Sequence, residues 1–360
     1  MANVLKTLQA GDITKKALAI LHNKLVFIRT INREYDDRFG KVGAMNGGTL
    51  QIRNPNQFTV RTGAVMDTQD VTETTQALVV ATLKGIDVNF TSEELTLSLD
   101  DFGDRVLTPM MARLAADIES DAIAGMTKQV YNLVGTPGTT PATLLTALNA
   151  RVKLSKGLCP SDGERYLLYD SQAMASTVDA LKGLFQSASE IDKQYKQGYV
   201  GMAAGLKWQE SEMISSVTNG TRDDTTPVCD TTEGQGITSG TATIAITAED
   251  ASVTIKNGEV FTVAGVFAVN PETKTAYSHL QQFVATADAT ASGAGAVTVS
   301  VSPTPITSGA RQTVSIPSAG TGKAVVHVAA GGSGAASTGY PQYLAYYRDA
   351  LTIVTADLFQ

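Results

Sequence analysis

One change of composition along the chain constrains its fold more than any other feature. From about residue 218, Gly, Thr, Ser, Ala and Val dominate, charged residues become sparse, and short strand-forming stretches alternate with turns. The candidate strands are 242–247, 260–265, 281–287, 296–302 and 324–330. Several short strands at close spacing are typical of a small β-barrel or sandwich. A glycine-serine stretch at 331–339 precedes a return to the denser apolar pattern, so the sequence predicts a β domain inserted at 225–337.

The rest of the chain has mainly helical patterns. A long helix is predicted from near Thr108 to about Leu133, because apolar residues recur at helical spacing and Pro109 suits a first helical turn. Further helices are predicted at 12–29, about 99–106, 141–156 and 171–186, and a strand at 165–170. The predicted fold class is therefore α+β with an inserted small β-barrel or sandwich.

A hairpin-like excursion precedes the long helix. Residues 47–62 alternate apolar and polar side chains around the turn Asn54-Pro55-Asn56, which predicts two short strands, and a third strand pattern covers 77–90. The stretch between them, 67–76, is polar, and few apolar residues are expected near the tip. Such an arm buries little surface by itself, so we expect it to lie on its own domain or on a neighbour.

Charge is distributed unevenly. The chain has a net charge of −7, yet residues 1–41 contain eight Lys or Arg and four Asp or Glu, a local excess of +4. The overall acidity excludes a globally basic nucleic-acid binder, whereas the basic N-terminal segment, which includes Lys15 and Lys16, indicates an interaction segment. Each of these charges is equally consistent with a solvated helix face. The start has no long apolar run and no stretch is apolar enough to span a membrane, so we expect neither a signal peptide nor a membrane segment.

No catalytic or metal-binding motif stands out. The histidines, His22, His279 and His327, lie in different predicted elements and have no metal-ligand spacing, and Cys159 and Cys229 are 70 residues apart. The stretch 318–326 superficially resembles a phosphate-binding loop, but it lacks the first glycine and the Ser or Thr, and a strand follows it. We therefore expect that the protein is not an enzyme and that it has no cofactor, metal site or catalytic residue.

Five segments, in order, resemble one family, and together they extend over most of the chain. They are GIDVNFTSEELTLSLDDF (85–102), TPMMARLAADIESD (108–121), GEVFTVAGVFAVNPETK (258–274), LQQFVATAD (280–288) and YPQYLAYYRDALTIVTADL (340–358). The chain resembles the major capsid (coat) protein of tailed double-stranded-DNA bacteriophages, in the coat-protein branch with an inserted β domain. Tyr347 stands where relatives commonly have His, at a position that we attribute to packing.

The resemblance implies a domain order. The implied parts are an N-terminal arm (1–40), an extended β loop with strands of the peripheral domain (41–92), a peripheral domain with a long spine helix (93–186), a first part of the axial domain (187–224), the inserted β domain (225–337), and return strands (338–360). Relatives commonly continue for several dozen residues beyond the segment TADL, so we expect the axial sheet to be cut short here.

The resemblance also implies a function. The chain would form hexamers and pentamers with itself in an icosahedral shell of the virion, assembled in the host bacterial cytoplasm. Scaffolding, portal and decoration proteins are the further partners it implies, and the shell would enclose double-stranded DNA without reading its sequence and without a membrane. Two alternatives stay open: a nanocompartment shell protein of the same fold, and, from a different class, a surface adhesin or tail-fibre protein with β modules.

Contacts between subunits are expected at the arm. We predict that Arg53 and Arg61 donate to carboxylates of a neighbour, because a guanidinium pairs with a carboxylate in two-point geometry. Asn54 and Asn56, together with Lys15 and Lys16 of the N-terminal segment, complete the candidate contact set. An equally good interpretation of the two arginines is that they keep an exposed edge strand from aggregating.

Overall fold

The structure is a computed structural model, and it describes residues 25–32, 49–66, 68–71, 73–79, 82, 84–87, 103–181, 200–221, 226–328 and 339–353. The basic N-terminal pair Lys15 and Lys16, the glycine-serine stretch up to residue 338 and most of the helix predicted at 12–29 lie outside these residues. The chain divides into two compact units, one formed by Met1–Leu50, Leu78–Ile123 and Arg348–Gln360 and the other by Gln51–Ala77 and Ala124–Tyr347.

Within the described residues the α-helices are α1 (Thr108–Thr127), α2 (Leu144–Lys156) and α3 (Ser171–Leu181). The strands are β1 (Thr49–Arg53), β2 (Thr75–Val79), β3 (Arg165–Tyr169), β4 (Met202–Ala203), β5 (Leu206–Glu210), β6 (Ser216–Thr218), β7 (Val228–Cys229), β8 (Thr243–Thr247), β9 (Thr254–Ile255), β10 (Val260–Val269), β11 (Ala276–Ala285), β12 (Ala289–Thr290), β13 (Val297–Ser302), β14 (Val314–Ser315), β15 (Lys323–Val328), β16 (Gly339–Pro341) and β17 (Leu344–Tyr347). The protein is therefore mixed α and β.

The first unit is organised around most of helix α1, which a π-helical turn, Gly103–Leu107, precedes. Every fourth residue of the helix is buried, in the order Met111, Ala115, Glu119, Ile123. This i, i+4 row is the stripe that a helix turns towards its core. The side chain of Glu119 accepts a hydrogen bond from the main-chain NH of Val26 at 2.8 Å, which ties the described stretch 25–32 to the helix.

Helix α1 ends earlier than the periodicity predicts. It stops at Thr127 rather than near Leu133, so it has 20 residues and a length of roughly 30 Å instead of roughly 40 Å. At its end the main-chain bonds tighten to the i−3 pattern, from Gln129 to Met126 and from Val130 to Thr127. Farther along, the side-chain amide of Gln282 in β11 accepts from the NH of Leu133 at 3.0 Å and donates to its carbonyl at 3.2 Å. Both main-chain groups are thereby satisfied without a helical turn.

The second unit contains a four-stranded mixed sheet in the order β17-β3-β5-β4, in which β3 and β5 are parallel. Helices α2 and α3 pack on it. The shared core consists of Ala147, Leu167, Tyr169, Ala173, Met174, Leu206 and Trp208. Trp208 is fully buried, meets the edge of Tyr169 at 5.3 Å between ring centroids, and donates its indole NH to the carbonyl of Ala203 at 3.0 Å.

The same unit contains a closed β-barrel. Its antiparallel strands pair in the ring β10-β11-β13-β8-β7-β15 and back to β10, while β14 adds to one end of β10. The alternation expected of a barrel strand is clear in β13, where Val297, Val299 and Val301 are buried and Thr298 is exposed. The predicted barrel or sandwich is thus a barrel.

The longest barrel strands form the hairpin β10–β11. Phe261 pairs directly with Phe283, and their rings, 6.0 Å apart between centroids, lie at the centre of the barrel core. The register shifts between Thr262 and Phe267, and Gly265 within that interval has φ +81°. A residue without a side chain is needed at such a bulge, because other residues rarely adopt a positive φ.

Two short strands flank the barrel in sequence and pair with each other. β6, before it, and β16, after it, are antiparallel, with Val217 opposite Tyr340. The hydroxyl of Tyr340 donates to the side chain of Asn219 at 2.9 Å. Among the described residues, no helix is both long and apolar enough to cross a membrane.

Candidate interaction surfaces

Among the described residues of the second unit, a long exposed stretch is the arm loop, which we define as residues 54–66, 68–71 and 73–74, between the paired strands β1 and β2. At its base, Asn54 donates its main-chain NH to the carbonyl of Thr74 at 2.8 Å. Arg311, from a loop of the barrel segment, donates to the hydroxyl of Thr74 at 2.6 Å. The base of the arm loop is therefore held by hydrogen bonds on both of its sides.

Farther out, a single side chain replaces a strand pairing. The amide of Gln69 accepts from the NH of Thr59 at 2.8 Å and donates to the carbonyl of Thr59 at 2.6 Å. The strand predicted around Phe58 and Val60 is wrong, because this side chain satisfies the main chain that a ladder would have paired. The arm loop is consequently an irregular excursion, with two strands only at its base.

The arm loop exposes large apolar side chains, which the sequence analysis underestimated. The exposed fractions are 58% for Phe58, 97% for Val60, 85% for Val65, 78% for Met66 and 61% for Val71. A single exposed apolar residue is ordinary, but a series of them on one excursion is typical of a surface that a partner covers. The available signal was the composition of 58–66, which the polar stretch after it obscured.

The four arm residues predicted to contact a neighbour are all described. Arg53 forms an ion pair with Glu73 across the hairpin at 3.4 Å, and both side chains are largely exposed. Arg61 donates to the carbonyl of Gly63 within its own turn. Asn54 bonds Thr74, whereas Asn56 is exposed. Arg53 and Arg61 each keep further N–H donors for a neighbour. The predicted role in subunit contacts stays a prediction for all four residues.

Ionisable clusters elsewhere have structural explanations. Lys84 forms ion pairs with Asp117, at 2.6 Å, and with Asp121. The hydrogen bond and charge of Lys84 hold the pKa of Asp117 below its usual value. In the barrel, His327 lies 3.2 Å from Glu249, and Cys229 is buried, which raises its pKa to about 12. Throughout the described part of the chain, no group of three or more His, Cys, Asp or Glu is placed to hold a metal ion.

Comparison with known proteins gives only coarse likenesses. No protein-family model matches the chain, and no curated protein matches it. Among solved structures, one from Mycobacterium phage Che8 is similar over 78% of this chain and 89% of its own, with 15% identity and a TM-score of 0.38. The asymmetric unit of the bacteriophage PhiM1 mature capsid is similar over 83% and 88%, with 11% identity and a TM-score of 0.33. Likenesses of this size leave the family of the chain open.

Proposed function

We propose that this chain is a structural subunit that assembles with copies of itself into an icosahedral capsid shell of a tailed phage, enclosing double-stranded DNA. The observation that carries the proposal is the arm loop, because Val60, Val65 and Met66 each expose more than three quarters of their surface. Water contact at these side chains is unfavourable by roughly 25 cal/mol per Å² of apolar area, which a neighbouring subunit would relieve. The ordered resemblance of five segments to the capsid family supports the same role.

The proposed role depends on many contacts between subunits rather than on one site. It requires no catalytic centre, cofactor or metal ion. The subunit is acidic overall, with a net charge of −7, so packaged DNA would be repelled from most of the wall rather than held on it. Scaffolding, portal and decoration proteins are the further partners that this role suggests, and the virion is the proposed location.

Assembly is tested on the purified full chain. We expect velocity sedimentation and electron microscopy to show closed particles. The contents of particles isolated from the cells that naturally produce the chain then decide between a phage-type shell, which packages DNA, and a nanocompartment, which encloses protein. A chain that stays monomeric or trimeric under every assembly condition would exclude a shell and favour the adhesin or tail-fibre alternative.

The arm loop is tested by making it polar at nearly constant size. Combining Val60→Thr, Val65→Thr and Met66→Gln is expected to reduce particle yield at least tenfold while circular dichroism of the subunit stays unchanged, because the lost contacts lie between subunits. The matched control is Val326→Thr, a substitution at a residue of the barrel whose side chain is 58% exposed. Normal particles from the triple variant would remove the main support for the proposal.

The two arginines are tested by reversing their charge. Arg53→Glu combined with Arg61→Glu places like charge beside Glu73 and opposite any carboxylate of a neighbour, so we expect a several-fold lower particle yield and a stronger dependence of the yield on salt. Lys323→Glu, on the barrel, serves as the control reversal. An unchanged yield would leave the arginines with no role in assembly.

A further inference from the structure

A cavity with uncompensated positive charge lies between helix α2 and the β10–β11 turn. It has a volume of about 540 Å³ and is open to solvent. Its lining comprises Leu148, Arg151, Val152, Ser155, Lys156, Leu158, Asn270 and Tyr277. The recess is more open than enclosed, and its cationic groups lie at an otherwise neutral wall.

The lysines in and beside this cavity contact uncharged side chains. The ammonium of Lys156 lies 5.5 Å from the centroid of the Tyr277 ring and 3.3 Å from Nδ1 of His279. Lys153, one turn away, donates to the side-chain oxygen of Gln282 at 3.0 Å. Within the described ranges, no carboxylate forms an ion pair with Arg151, Lys153 or Lys156.

The pKa shifts of Lys153 and His279 agree with an excess of positive charge beside the cavity. Burial, and then the charge of Lys156, lowers the pKa of Lys153 below its ordinary value. Burial, followed by the charges of Lys156 and Lys153, lowers the pKa of His279, which favours the neutral imidazole. An anion in the cavity would offset the repulsion between these groups.

The C-terminus of helix α2 explains the position of only some of these cations. Lys153 and Lys156 lie in its last turn, where the partial negative charge of the helix C-terminus favours cations. That effect decays within one turn, and Arg151 lies five residues before the helix end. Its guanidinium instead packs against Gly205, where an added Cβ would lie 3.2 Å from Cζ, so it is positioned by contact rather than by an acid.

We propose that this cavity binds a phosphate group, with Arg151 and Lys156 as its charged ligands and the hydroxyl of Ser155 as a further donor. Ser155 already accepts from Arg165 at 3.1 Å, which directs its own proton elsewhere. Both cations line the cavity, and a doubly charged oxyanion is suited to two such partners. The proposal does not depend on the shell role, because it rests on one unit of a single chain.

The test is equilibrium dialysis of the purified full chain against radiolabelled inorganic phosphate at fixed ionic strength, a measurement that does not depend on assembly state. We expect saturable binding of one phosphate per chain. Combining Arg151→Gln with Lys156→Gln should weaken it at least tenfold, and Lys323→Gln should leave it unchanged. Because the ammonium of Lys156 lies over the ring of Tyr277, Lys156→Met provides a second variant that removes the charge but keeps a long side chain beside that ring.

The source of the phosphate is decided by competition. A short single-stranded DNA oligonucleotide that displaces labelled phosphate from the wild type, but not from the double variant, would identify a nucleic-acid backbone as the ligand. Binding of inorganic phosphate without competition would identify a free phosphate. Absence of saturable binding at millimolar phosphate, or equal affinity in wild type and double variant, would overturn the proposal.

Discussion

Replacing Gly295 with alanine is expected to destabilise the barrel by about 3 kcal/mol or more. Gly295 has φ +74°, and a Cβ added there would lie well under 3.0 Å from the main-chain oxygen of Glu249. Its own carbonyl accepts a hydrogen bond from the NH of Glu249 at 3.1 Å, so the turn cannot move away without breaking that bond. Backbone strain and steric overlap therefore add at this position.

Alanine substitutions at two other glycines separate the effect of backbone strain from that of steric overlap. Gly265 has φ +81° with no atom near an added Cβ, so Gly265→Ala should cost about 1–2 kcal/mol from strain alone. Gly293 has neither feature, and Gly293→Ala should stay within about 0.5 kcal/mol. Hydrogen exchange of peptides from β8 and β13 measures the effect locally, and Gly295→Ala should accelerate it roughly 100-fold. Equal exchange in the Gly295 and Gly293 variants would contradict the assignment.

Trp208→Ala is expected to cost the mixed sheet about 3–5 kcal/mol, because the largest fully buried side chain of the molecule would leave a cavity between β5 and helices α2 and α3. The change also leaves the carbonyl of Ala203 without its indole donor. Urea unfolding followed by far-ultraviolet circular dichroism measures the loss, since the substitution removes the single tryptophan of the chain.

The control for Trp208→Ala is an exposed leucine on helix α2. Leu145 on α2 is 62% exposed, so Leu145→Ala should change the unfolding free energy by less than about 0.5 kcal/mol. Trp208→Phe keeps most of the volume and isolates the hydrogen bond, with an expected cost of about 1–3 kcal/mol. If Trp208→Ala were no more destabilising than Leu145→Ala, the indole would not be a core element of this sheet.

Local patterns predicted the barrel strands but not their arrangement. The alternation of Val297, Val299 and Val301 can be seen within ten residues, and the strands predicted at 242–247, 296–302 and 324–330 lie close to β8, β13 and β15. Strand β10 runs beyond the predicted 260–265, β11 begins before the predicted 281–287, and β7 was not predicted. The ring order is not local, because β7 pairs with both β8 and β15, which lie far apart in sequence. Local patterns therefore do not distinguish a sandwich from a barrel, because the two differ in these long-range pairings.

Long-range side-chain contacts caused the main errors. Leu133, where the predicted helix would have ended, is instead bonded by Gln282, 149 residues farther along the chain, and the sequence near Leu133 does not reveal that partner. The strand predicted around Phe58 fails because Gln69 takes its hydrogen bonds. The phosphate cavity could not be predicted either, since Lys156 and Tyr277, which both line it, are 121 residues apart and neither belongs to a recognised motif.

The pairing of β6 with β16 has a topological consequence. The chain leaves on Ser216–Thr218 and returns on Gly339–Pro341, and the two strands are adjacent over their whole length. Paired strands lie about 4.8 Å apart, so a few residues suffice to bridge them. The intervening segment, barrel included, therefore leaves and re-enters at one place, so its connection alone imposes little on the strands around it. Its coupling to earlier residues runs instead through side chains, such as Gln282 on Leu133 and Arg311 on Thr74.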